Sequence, residues 1–102
     1  MKKTMLALGL SALMSTTAMA ETIGASIARF DDNFLTVMRN GMVEHAANVG
    51  ADLQVEDATD DVAKQLDQIN NFIASGVDAI IVNAVDTSAT QAMSQAAEAA
   101  GV

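Results

Sequence analysis

Cysteine is absent from the 102 residues, so there is no disulfide framework, no thiolate metal site and no point of lipid attachment. Histidine occurs once, at His45, with no second histidine or cysteine to complete a ligand set, so no metal site is expected. Basic residues are scarce: Arg29, Arg39 and Lys64 are the only ones beyond Lys2 and Lys3, and they face 13 acids. Scattered bases in an acidic chain exclude nucleic acid as a partner, because a polyanion requires clustered Lys and Arg. A nucleophile–base pair cannot be assembled around one unsupported histidine either, so an enzyme is not expected.

Long hydrophobic runs are also missing. The one apolar stretch, Met5 to Met14, follows Lys2-Lys3 and precedes Ser15-Thr16-Thr17-Ala18-Met19-Ala20, which ends in A-x-A. That order is the pattern of a secretory signal peptide. Crossing a membrane takes about 20 apolar residues, and this run is roughly half of that. Residues 1–20 are therefore expected to be a signal peptide cleaved after Ala20, with delivery of the mature chain to the periplasm. That mature chain, without disulfides and roughly 80 residues long, supports a marginal core.

Three times an apolar helical pattern runs into glycine and then into a β-like run: AANVGADLQV at 46–55, IASGVDAIIV at 73–82 and EAAGV at 98–102. Gly50, Gly76 and Gly101 stand where a glycine ends a helix in the left-handed conformation. The period fits one strand plus one helix and predicts a parallel α/β sheet of order βαβαβα. Strands are predicted over 22–28, 52–56 and 78–83, the last an unbroken apolar run of the kind buried on both faces of a parallel sheet. One helix is predicted over 33–49, with Phe34, Leu35, Met38, Met42, Ala46 and Val49 on its apolar stripe. A second starts at Asp60 or Asp61 and buries Val62, Leu66, Ile69, Phe72 and Ile73. A third runs over 88–100, with Ser88 and Gln91 at capping-box spacing and Ala92, Met93, Ala96 and Ala100 inward. By the repeat, Val102 opens a fourth strand, so the sequence reads as a fragment of something longer.

Ligands of parallel α/β sheets sit beyond the carboxyl ends of the strands, near the reversal of strand order. A strand order of 2-1-3 places the loop Phe30-Asp31-Asp32-Asn33-Phe34 beside Asn83-Ala84-Val85-Asp86. The first loop has no glycine and carries two acids, which excludes phosphate and dinucleotides. A neutral polyol fits: carboxylates accept from hydroxyls at about 1.5–3 kcal/mol per bond, and Phe30 or Phe34 can cover an apolar C–H face. Set against this, Asp32 and Asp86 can serve simply as helix caps, and Phe34 as core.

The TIGASIARFDDNFLTVMRNGM stretch, KQLDQINNFIASGVDAIIVN at 64–83 and DTSAT at 86–90 resemble the start of a periplasmic sugar-binding protein of the ribose/galactose (type I) family. The resemblance implies a flavodoxin- or Rossmann-like three-layer α/β fold, of which 21–102 would be an incomplete N-terminal lobe. It implies capture of a monosaccharide or inositol-like polyol for an ABC importer, with an inner-membrane permease and, for some members, a chemoreceptor as partners and no cofactor. Asp32, Phe34 and Asn83 match sugar contacts of galactose-type members, and Asp86 matches one of ribose-type members. Ala28 stands where galactose-type members carry tyrosine, and D-D-x-F with V-N-x-V-D is shared with binders of inositol-like or rhizopine-like polyols. The alternative is a receiver-like phospho-acceptor signalling domain of the same layout, whose third strand ends in aspartate where this chain has Asn83.

Overall fold

The computed structural model describes residues 19–102. Lys2, Lys3 and the apolar run on which the signal-peptide reading rests lie outside the described residues. Three parallel strands, β1 (Thr22–Ile27), β2 (Asp52–Asp57) and β3 (Ala79–Val82), form one sheet in the order β2-β1-β3, as the crossover argument expects. The register pairs Thr22 with Asp52 and Ile23 with Ala79, so all three strands point their carboxyl ends to the same rim.

The helices are α1 (Asn33–Val49), α2 (Val62–Ala74) and α3 (Thr90–Ala99). Asp32 and Asp61 cap α1 and α2 by accepting from the N–H groups of Leu35 and Lys64, both at 3.0 Å. Gly50, Gly76 and Gly101 all take φ of 75°, a conformation that a side chain strains, and chain direction reverses there.

Alternation along the strands divides the core. Ile80 and Val82 face α2 and α3, joining Ile69, Phe72, Val77 and Met93 in a buried cluster. Ile23, Leu53 and Ile81 face the other way, lining an apolar recess with Met42 and Ala46 of α1. The close approach of α2 to β1 depends on Gly24: a Cβ there would lie 2.4 Å from the Phe72 ring.

Three local expectations are corrected. The third helix does not start at a Ser88 capping box. Asp86 accepts from both the N–H and the hydroxyl of Ser88, at 2.9 and 2.8 Å, and nucleates a 3-10 turn over Thr87–Ala89, so α3 begins only at Thr90. β3 is the edge strand among the described residues, and its faces are not both buried as the unbroken apolar run predicts, since Ile81 is 43% exposed. The apolar stripe of α1 narrows to its middle, since Phe34 and Val49 at its two ends are 75% and 62% exposed.

Candidate functional site

The carboxyl rim is built from the loops that leave the three strands. After β1, the Thr36 hydroxyl lies 2.9 Å from the Phe30 carbonyl and 2.8 Å from that of Asp32, sharing its one proton between them and fixing the backbone of 30–32. Asp32 Oδ1 takes the Leu35 N–H, and Oδ2 lies 3.4 Å from Arg29 Nη2. The Leu35 hydrogen bond, and after it the Arg29 charge, hold the Asp32 carboxyl below the usual carboxylate range. Asp31 is exposed and unpaired among the described residues. Arg39 stacks on the Phe30 ring at 3.7 Å from its centroid, so one face of Phe30 is already occupied by a cation. The Phe34 ring remains free.

After β3, Asn83 Oδ1 accepts from the Ala28 N–H at 3.2 Å, which ties the end of β3 to the end of β1. Among the described residues its amide nitrogen has no hydrogen-bond partner. Asp86 spends Oδ1 on Ser88, whose N–H and then hydroxyl lower the Asp86 pKa, and Oδ2 is left open. The fold thus brings Phe30, Asp31, Asp32, Phe34, Asn83 and Asp86 to one rim of the sheet. The cap weighed for Asp32 is realised on α1, whereas Asp86 caps the 3-10 turn over Thr87–Ala89 and not α3, whose own start at Ala89 carries no side-chain cap. The packing expected for Phe34 as core is not realised.

A part of the rim that the sequence did not announce comes from the loop after β2. Asp57, Thr59 and Asp60 line an open cleft of about 430 Å³ with Arg29, Phe30 and Asp31. Thr59 and Asp60 hold φ of 52° and 55° without being glycine. The strain is offset by the Thr59 N–H donating to Asp57 Oδ1 at 2.8 Å, by the Asp60 N–H donating to the Ala28 carbonyl at 2.8 Å, and by Arg29 Nη1 at 3.6 Å from Asp60 Oδ2. Arg29 therefore stands between Asp32 and Asp60 and joins two of the loops. No glycine marked this turn; the only signal was Asp57 two residues before Thr59, the spacing of an Asx turn. Among the described residues, no group of three or more His, Asp or Glu side chains is placed to hold a metal ion.

A rim of carboxylates, a free amide and an exposed ring, without a phosphate-binding turn, suits a neutral hydroxylated ligand. Residues 23–102 match the periplasmic binding protein domain. The chain belongs to that family. Its members serve transport as solute-binding proteins rather than enzymes, and family membership implies a periplasmic location. The chain is 58% identical over its whole length to a Rhizobium meliloti protein named "Putative rhizopine-binding protein", and 32% identical over 79% of its length to a ribose import binding protein of Bacillus subtilis. It spans about a third or less of these relatives, 33% and 27%. An ABC transporter solute binding protein from Bacillus halodurans, solved with bound myo-inositol, superposes with a TM-score of 0.76 at 41% identity, covering 80% of this chain and 29% of that one. The three-layer α/β fold is thus that of part of a type I periplasmic binding protein, and a receiver domain is excluded.

Proposed function

We propose that the protein is the capture component of an ABC importer for a monosaccharide or inositol-like polyol, and that residues 21–102 supply part of the N-terminal lobe. The observation that carries this reading is the composition of the rim. Asp31, Asp32 and Asp86 offer acceptors, Asn83 offers a free N–H pair, and Phe34 offers an uncovered ring. Phe30, stacked under Arg39, contributes its remaining face. The likeness to proteins named for rhizopine binding and solved with myo-inositol favours a cyclic polyol over ribose. The permease in the inner membrane is the expected partner, with a chemoreceptor as a second.

Equilibrium dialysis of the full-length exported protein, of which residues 21–102 are proposed to be part, against myo-inositol, D-ribose and D-galactose tests the reading. Preferential retention of myo-inositol is expected; retention of none of the three contradicts it. Export is tested separately. We propose cleavage after Ala20, so N-terminal sequencing of the periplasmic product should begin at Glu21, and a product that retains Met1 would contradict the signal peptide.

A further inference from the structure

Beneath the rim lies a polar cluster that the ligand-facing residues do not explain. Ser26 and Gln65 are fully buried and Gln68 is 6% exposed, in a layer otherwise made of Ile69, Phe72 and Val77. Uncharged polar groups in such a place cost stability unless every donor and acceptor is matched. Here they are matched, and the partners are the backbones of the rim loops.

Gln65 Nε2 donates to the Asn83 carbonyl at 2.9 Å and to Ser26 Oγ at 3.0 Å, while its Oε1 accepts from the Val85 N–H at 2.9 Å. The two bonds to 83 and 85 close a clamp on the segment that presents Asn83 and Asp86. The Ser26 hydroxyl donates to Gln68 Oε1 at 2.7 Å, and Gln68 Nε2 donates to the Asp57 carbonyl at 2.8 Å, where the loop after β2 begins. One connected chain of hydrogen bonds thus runs from the loop after β3, beneath the end of β1, to the loop after β2. No side-chain nitrogen or oxygen buried among the described residues lacks a partner.

We propose that Gln65 is a positioning residue for the polyol site: it holds the Asn83–Asp86 segment in its ligand-facing conformation, and Ser26 and Gln68 lock that segment to the loop after β2. The inference rests on the polyol reading above. An apolar residue at position 65 would fill the same space but leave the Val85 N–H, the Asn83 carbonyl and one side of Ser26 without their partner. What only glutamine supplies there is an acceptor for Val85 and donors for Asn83 and Ser26 in one planar group. Fully satisfied buried networks of this kind favour one conformation of the segments they join.

The test compares Gln65→Met with Ile69→Val in the full-length exported protein of which residues 21–102 are proposed to be part. Both substitutions lower the melting temperature, but Ile69 belongs to the apolar cluster of Phe72, Val77 and Met93 and makes no hydrogen bond to either loop. At a temperature well below both melting points, calorimetric titration with myo-inositol should show binding weakened about tenfold or more in Gln65→Met, which leaves both the Val85 N–H and the Asn83 carbonyl unmatched, and unchanged in Ile69→Val. Hydrogen exchange at the Val85 amide should accelerate in Gln65→Met alone. Equal affinity and equal Val85 exchange in the two variants would overturn the proposal and leave Gln65 as packing. Should the wild-type protein take up no myo-inositol, the polyol reading fails, and Val85 exchange alone decides whether Gln65 holds the loop.

Discussion

Asp32 meets two demands with one carboxylate: it closes the first turn of α1 through Leu35, and it stands on the rim beside Arg29. Substitution separates the two. Asn is as good an N-cap as Asp, whereas Ala is poor, so Asp32→Ala should lower the melting temperature and Asp32→Asn should largely restore it. If the charge also receives ligand hydroxyls, both variants should bind myo-inositol more weakly in calorimetry. Unchanged affinity with a lower melting temperature in Asp32→Ala would reduce Asp32 to a cap. Acid should act in the same direction. The native carboxyls of Asp32 and Asp86 titrate below their ordinary value, so their contribution is fully present above that value and is lost as pH falls through the lowered native one. Melting curves recorded across that acidic window should show stability falling with pH, and Asp32→Ala should flatten the fall. At this scale the sequence was informative where a residue acts on its nearest neighbours, as Asp32 and Asp61 do. It was silent on Gln65 and Gln68, because a glutamine on a helix looks solvent-facing until the backbone groups it will meet, 11 to 20 residues away, are in place.

Among the elements, the tightest dependence is that of α2 on β1. Phe72, 2% exposed, lies over Gly24, where a methyl group would enter the ring at 2.4 Å. Neither the sheet backbone nor a buried ring can yield cheaply, so Gly24→Ala should destabilise the protein by about 1–3 kcal/mol, the usual cost of overpacking. Denaturant unfolding measures this directly; a midpoint equal to that of the wild type would show that α2 is free to shift. Element type and order were legible because Gly50, Gly76 and Gly101 punctuate a regular apolar period, and the right-handed crossover rule then allowed the order β2-β1-β3. The start of α3 was not, since Ser88–Gln91 satisfied the capping pattern while Asp86, two residues earlier, reached the same N–H with a stronger acceptor. Exposure along β3 was misjudged for a different reason. An apolar run reports that a strand can be covered, whereas Ile81 is left 43% exposed on the α1 side of the sheet, because α1 packs over β2 rather than over β3.

For the molecule as a whole, the rim is one open wall. Small polyols are held tightly when most of their surface is enclosed, and the described residues offer a shallow cleft bordered by three loops. The chain by itself should therefore bind at roughly millimolar concentration, where about 4 kcal/mol of binding energy suffices. Binding of that strength is still mapped residue by residue by amide chemical shifts. Titrating the 15N-labelled chain with myo-inositol is the most direct test of the claim that this rim is the ligand face. The amides of residues 30–34 and 83–86 should move together and saturate on one millimolar-scale curve, while those of Gly50, Gly76 and Gly101 at the far ends of the helices stay fixed. Shifts confined to the glycine end, or none at all up to saturating myo-inositol, would contradict the account.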